Sequence, residues 1–200
     1  MKLEGQVAVV TGAGRGLGRA YALRLARLGA NVVVNDIDLG SASEFGEELT
    51  AEGVDAEIRA LGRRSLAIEA DVREKAAVDS MFEQVVAEFG RIDILVANAG
   101  GLAGDRTKSY ASSVPEDELR HTFDRNLMGT IFSCQAALVP MKQQSYGRIV
   151  TVSSQAGLRG AANGYYASYG AAKAAIVSYT QYLAGELAPH GINVNCIAPA

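Results

Sequence analysis

Short β-branched runs alternate with longer helical patterns from one end of the chain to the other. The first run, QVAVVTG at 6–12, is apolar on consecutive residues rather than on alternate ones, as a parallel strand buried on both faces requires. NVVVND (31–36), SLAIEADV (65–72), IDILVANAG (92–100), GRIVTVSS (147–154) and INVNCIAP (192–199) read as five more strands. Helical patterns fill the gaps. GLGRAYALRLARLGA (16–30) sets Leu17, Tyr21, Leu25 and Leu28 at helical spacing. SASEFGEELTAEGVDAEIRALG (41–62) is charged and helix-rich, and EKAAVDSMFEQVVAEFG (74–90) is amphipathic. EDELRHTFDRNLMGTIFSCQAALVPM (116–141) and YASYGAAKAAIVSYTQYLAGEL (166–187) are long helices. Six β-α units in series, with no linker between them, predict a single α/β domain: a doubly wound parallel sheet with helices on both faces. Two segments stand apart. Leu39 to Asp55 is longer than a tight connection needs and predicts an inserted loop with a helical turn of its own. Residues 101–113 are polar and loop-like, and Ser113 with Glu116 predicts a capping box for the helix that follows.

Composition excludes several classes of function. With 48% hydrophobic and 20% charged residues the 200-residue chain is globular, not disordered. A net charge of −3 gives no field that would gather nucleic acid or an anionic membrane. Cys134 and Cys196 lie in apolar contexts without metal-ligand spacing, so they read as free buried thiols and no metal site is expected. No apolar run approaches the roughly 18 residues of a bilayer span, and the start carries no signal-peptide stretch. The expectation is a cytoplasmic protein.

Between the first strand and the first helix lies TGAGRGLG, Thr11 to Gly18. Glycines here let the backbone turn sharply and let a pyrophosphate approach the free amides at the helix start. The Walker pattern G-x-x-x-x-G-K-[ST] fails, because position 17 is Leu17 and no lysine follows. G-x-G-x-x-G fails as well; T-G-x-x-x-G-x-G fits, on Gly12, Gly16 and Gly18. The second strand ends at Asp36, 18 residues after Gly18, close to where a Rossmann fold places the acid that accepts from the adenosine ribose hydroxyls. That carboxylate repels a 2′-phosphate and argues for NAD over NADP. Arg15, a cation within the glycine turn, argues the other way, but Asp36 acts at the point of discrimination itself.

Taken in order, TGAGRGLG, Asp36, ADV (70–72), ANAG (97–100), NLMG (126–129), VSS (152–154) and YGAAK (169–173) resemble the short-chain dehydrogenase/reductase family over residues 5 to 199. The resemblance implies a Rossmann fold and a set of roles. Gly12, Arg15, Gly16, Leu17 and Gly18 would line the cofactor's diphosphate side, and Asp36 its ribose. Asp71 would bond the adenine with Val72 packed beside it, and Asn98, Ala99 and Gly100 would form the turn under the cofactor. Pro199 would lie beside the nicotinamide. Asn126 would kink its helix and hold a proton-relay water; Ser154 would hold the substrate oxygen; Tyr169 and Lys173 would form the acid/base pair, Lys173 also binding the nicotinamide ribose.

Chemistry supports these roles. Interconverting an alcohol and a ketone moves a hydride and a proton, and the protein must supply the acid/base. A free tyrosine, with a pKa of about 10, is a poor base at neutral pH. A lysine four residues later lies on the same helix face, where its charge favours the phenolate. Of Tyr165, Tyr166 and Tyr169 only the last has that lysine, and the other two read as pocket wall or packing. Ser154 and Tyr169 stand farther apart than in most members, so the intervening loop is lengthened.

The leading expectation is an NAD(H)-dependent enzyme interconverting a secondary alcohol and a ketone, a small-molecule substrate, with Asn126, Ser154, Tyr169 and Lys173 catalytic. The alternative is a 3-oxoacyl-thioester reductase of fatty-acid metabolism; a non-catalytic dinucleotide sensor would have lost at least one of those four. Members commonly form tetramers or dimers, and the small residues Ala171, Ala175 and Ala184 suit close helix contact. Members also run on for a further segment after the proline matched by Pro199, so the domain at 1–200 is expected to be C-terminally incomplete.

Overall fold

The computed structural model describes residues 1–102, 104 and 109–200. Six parallel strands, β1 (Val7–Thr11), β2 (Asn31–Asp36), β3 (Ser65–Glu69), β4 (Ile94–Ala97), β5 (Gly147–Val152) and β6 (Ile192–Ile197), form one sheet in the order β3-β2-β1-β4-β5-β6. The order reverses between β1 and β4, which opens a crevice at the carboxyl ends of those two strands, where an open α/β sheet binds its ligands.

The consecutive apolar run of β1 has a direct cause. Side chains alternate across a strand, so Val7 and Val9 enter one core while Ala8 and Val10 enter the other. The first core is closed by α3 (Lys75–Phe89), α5 (Gly129–Gln144) and α6 (Ala167–Leu187), through residues such as Met81, Met141 and Leu187. The second is closed by α1 (Gly16–Arg27) and α2 (Val54–Ala60), through Ala22, Ala26 and Ile58. Helices on both faces of a parallel sheet are what the alternation predicted.

Several local expectations are corrected. The fully buried stripe of α1 is Gly18, Ala22 and Ala26, with Tyr21 and Leu25 packed half-buried beside it. Small side chains bring this helix close to the sheet, while Leu17 is left 52% exposed at the helix start. The charged stretch 41–62 is mostly not helical. It holds one 3-10 turn (Ser43–Phe45) and the seven-residue α2, separated by a segment that begins at Gly46 and ends at Gly53. The inserted loop therefore does carry a helical turn. Ser113 does not cap α4 (Glu116–Phe123): Pro115 takes that position without a side-chain bond, and Glu116, Asp117 and Glu118 face the positive helix end instead. Cys134 is buried, but Cys196 is only half-buried; both are free. Of the loop 101–113, Ala103 and residues 105–108 lie outside the described residues. No helix among the described residues is long and apolar enough to cross a membrane.

Candidate active site

A cleft of about 550 Å³ lies along the carboxyl ends of the strands, walled by the glycine turn, the ends of β2 to β5 and one side of α6. Gly12 turns with φ +62°, and a Cβ there would lie 2.8 Å from Ala99 Cα, so glycine is what allows the turn to meet the end of β4. Asn98 locks the same junction: its Nδ2 donates to the carbonyls of Thr11 and Gly12 at 3.0 Å, while Thr11 Oγ1 accepts from the amides of Asn98 and Ala99. Gly12, Arg15, Gly16, Leu17 and Gly18 all face the cleft.

Asp36, at the tip of β2, also faces the cleft. Its Oδ2 accepts from the Gly14 amide at 2.9 Å and its Oδ1 from Ile37 at 2.8 Å, which fixes the carboxylate beside the glycine turn. Asp71 and Val72 follow β3 on the same wall. Asp71 accepts from the amide and guanidinium of Arg73, and that hydrogen-bonded cation holds its carboxyl below the usual range.

At the other end, the two adjacent serines turn opposite ways. Ser153 is buried, its Oγ donating to the Lys173 carbonyl at 2.7 Å. Ser154 is half-buried on the cleft wall; its Oγ accepts from the Ala156 amide at 3.2 Å, which leaves its own proton to donate. Tyr169 lines the cleft one helical turn before Lys173, whose Nζ lies 5.6 Å from the centre of the tyrosine ring. Lys173 is 3% exposed and donates to the Val152 carbonyl at 2.8 Å. Burial pushes its ammonium down to about 8. Pro199 completes the wall, its carbonyl accepting from Gln155.

Asn126 is placed differently from the other three catalytic candidates. It is fully buried behind the wall. Its Oδ1 accepts from the Gly101 amide at 2.9 Å, and its Nδ2 donates to the Gly101 and Thr122 carbonyls at 2.8 Å. It sits in a π-helical segment, Asp124–Met128, that joins α4 to α5. Gly100 lies between Asn126 and Lys173: a Cβ there would press on Asn126 Oδ1 and come within 3.1 Å of Lys173 Nζ. Asn126 thus fixes the turn on which the buried lysine rests.

Tyr165 and Tyr166 do not face this cleft. They border a second, more open cavity of about 520 Å³ between residues 155–161 and the start of α6. Tyr165 packs on Tyr110 at 4.7 Å between ring centres, and Tyr166 meets Tyr169 edge-on at 6.4 Å.

Sequence reading missed the contribution of the inserted loop. Ser41, Glu44 and Phe45 also wall the cleft, and Arg15 lies over the Phe45 ring at 3.4 Å. Arg73 and Arg125 reach it as well. Both arginines adjoin motif residues, which is the signal that could have found them.

The cradle fits a dinucleotide: a crowded glycine turn, an acid at the adjacent strand tip, and a polar cluster at the far end. Comparison with known proteins points the same way. Residues 6–200 match the short chain dehydrogenase family. The chain is 51% identical to a cyclohexanol dehydrogenase of Rhodococcus sp. (strain TK6), over all of this chain and 75% of that protein. It is 38% identical to a 3-oxoacyl-[acyl-carrier-protein] reductase of Synechocystis sp. (strain ATCC 27184 / PCC 6803 / Kazusa), over 98% of this chain and 74% of that one. The crystal structure of an NAD+-bound xylitol dehydrogenase superposes with a TM-score of 0.88 at 34% identity, covering 100% of this chain and 71% of the other.

Proposed function

This chain belongs to the short-chain dehydrogenase family, and from that premise we propose that it oxidises a cyclic secondary alcohol with NAD, using Tyr169 as the base. It is an oxidoreductase of CH–OH groups that interconverts a secondary alcohol and a ketone and binds a nicotinamide dinucleotide. The finer reading rests on one observation above the others. Tyr169, Lys173 and Ser154 all line the cleft, with the nearly buried lysine 5.6 Å from the centre of the tyrosine ring.

Gly12 to Gly18 would hold the diphosphate, Asp36 the adenosine ribose and Lys173 the nicotinamide ribose. When bound, the nicotinamide supplies the acceptor for the hydride leaving the alcohol carbon. The remaining work falls to side chains. Tyr169, as phenolate beside the Lys173 ammonium, takes the hydroxyl proton as the C–H bond breaks. The Ser154 hydroxyl donates to the substrate oxygen and orients it. Asn126 acts through Gly101 and Gly100 as a positioning residue. In the reverse direction Tyr169 returns the proton to the ketone oxygen.

NAD rather than NADP is supported by Asp36 on the cleft wall and by Arg15, whose guanidinium is stacked on Phe45. A cyclic substrate is supported by the cyclohexanol dehydrogenase relative. The 38% identity to a 3-oxoacyl reductase favours a second reading, reduction of a thioester-borne ketone. We take the enzyme to act in the cytoplasm as a dimer or tetramer, to which the outward Val139 of α5 and Tyr182 of α6 are suited.

An assay of cyclohexanol with NAD and with NADP, beside a 3-oxoacyl thioester with NADH and NADPH, separates the readings. Cyclohexanol oxidation with NAD supports ours, and tighter binding of NADPH than of NADH overturns the role of Asp36. Tyr169→Phe is expected to bind NADH as the native enzyme does and to lose turnover by about 10²–10⁴-fold; retained turnover removes Tyr169 from the mechanism.

A further inference from the structure

The inserted loop after β2 is fixed to the start of α1 by two attachments of unlike character. The first is buried. Glu57, 4% exposed, accepts from Arg19 Nε at 2.8 Å and Nη2 at 2.7 Å, and from the amide and hydroxyl of Thr50 at 2.8 and 2.7 Å. The second is exposed. Both carboxylate oxygens of Glu47 accept from the Gly16 amide, at 2.9 and 3.0 Å, with Arg19 Nη1 3.7 Å away. Next to Glu47, Gly46 takes φ +68° with open space around it, a position from which the tip can turn.

Gly16 opens α1, and the unpaired amides and dipole of a helix start are what attract a diphosphate. Here a side-chain carboxylate already lies on that amide. Two anions cannot share it, because at about 3 Å their repulsion works against both.

We propose that Glu47 is a resident anion that competes with the cofactor's diphosphate for the start of α1 and so sets the affinity for dinucleotide. This rests on reading the cleft as the dinucleotide site. Entry of the dinucleotide lifts Glu47 from Gly16, while the Thr50–Glu57–Arg19 attachment keeps the rest of the loop in place. Arg19 stays held by Glu57. The loop is therefore a determinant of cofactor affinity, acting at the diphosphate rather than at the ribose.

The test uses Glu47→Gln and Glu47→Ala in the full chain. Affinity is measured by titration with NADH, with ADP and inorganic pyrophosphate as anions lacking nicotinamide, and with adenosine as a ligand lacking the anion. Both variants are expected to bind NADH, ADP and pyrophosphate about 3–10-fold more tightly than the native protein, and adenosine unchanged. Unchanged or weaker NADH binding in both variants, or an equal gain for adenosine, overturns the competition while leaving the dinucleotide cleft intact. Failure of native protein and variants alike to bind NADH overturns the reading of the cleft, and the competition with it.

Discussion

At the Tyr169 end of the cleft the polar groups are held from within, whereas at the glycine turn they are held by carboxylates reaching in from outside. Lys173, Ser153 and Asn126 are buried, and each bonds to backbone of a neighbouring element. Gly14 and Gly16, by contrast, give their amides to Asp36 and Glu47, the second carried on an exposed loop. A chemical centre must stand ready before substrate arrives, since misplacing a proton acceptor by an ångström is expensive in rate. A cofactor's charged end can be received by exchange of one anion for another. The first arrangement resists salt and the second responds to it, because exposed pairs are screened and buried ones are not.

The largest effect should come from emptying the buried end. Lys173→Met is expected to lower turnover of cyclohexanol by about 10²–10⁴-fold, since it removes the cation beside the proton acceptor and the group proposed to hold the nicotinamide ribose. It should also expose the cost of that burial. Below pH 8 the lysine is charged in both folded and unfolded chains, and folding carries the full penalty. Between about 8 and its ordinary 10.5 the unfolded chain alone binds the proton, so stability rises with pH. Denaturant titrations without dinucleotide should show native stability gaining up to about 3 kcal/mol over that window relative to Lys173→Met. Equal slopes would mean that the lysine is not held as the structure has it.

Next in size is the buried attachment of the inserted loop. Hydrogen bonds from Arg19, ahead of the penalty of burial, hold the Glu57 carboxyl at about 2 instead of its ordinary 4.5. Its stabilisation is complete above pH 4.5, where the group is ionised in both states, and is lost as the pH falls through 2. Glu57→Gln should lower stability by about 3 kcal/mol at pH 7, with the difference shrinking below pH 4.5. A pH-independent difference would sever the loss from the ion pair. The smallest effect belongs to the exposed tip. Phe45→Ala removes the ring under Arg15, at a cost of less than about 1 kcal/mol, and frees that cation. NADPH affinity should rise a few-fold while NADH affinity hardly moves; a matching rise for both would show that Phe45 only obstructs entry.

How far the sequence could be read follows the same division. Tyr169 and Lys173 are four residues apart on one helix, so their meeting is a property of helical geometry. Asp36 at a strand tip and the glycines of the first turn are equally local. Ser154 is given by its place in VSS, whereas the opposed directions of Ser153 and Ser154 appear only once the strand end is folded. What sequence could not supply depends on distance along the chain. Glu47 meets Gly16 across 31 residues, through an insertion whose path no periodicity describes. On α1 the apolar spacing marks the half-buried flank of the helix, Tyr21 and Leu25, while the fully buried positions are the small Gly18, Ala22 and Ala26, which carry no apolar signal of their own. The capping box failed at Ser113 because Pro115, with its fixed φ, already defines the helix entry.

The absence of a side chain at Gly100 bears on how such an enzyme can diversify. A single methyl there would press on both Asn126 and Lys173, so the chemistry is closed to gradual change at that position. Phe45 and Glu47 are under no such constraint: they lie on a surface loop whose length and composition can drift without disturbing the sheet. An engineer seeking a new cofactor preference has open ground in that loop, whereas at Gly100 even one added carbon displaces the Asn126 amide and crowds the Lys173 ammonium.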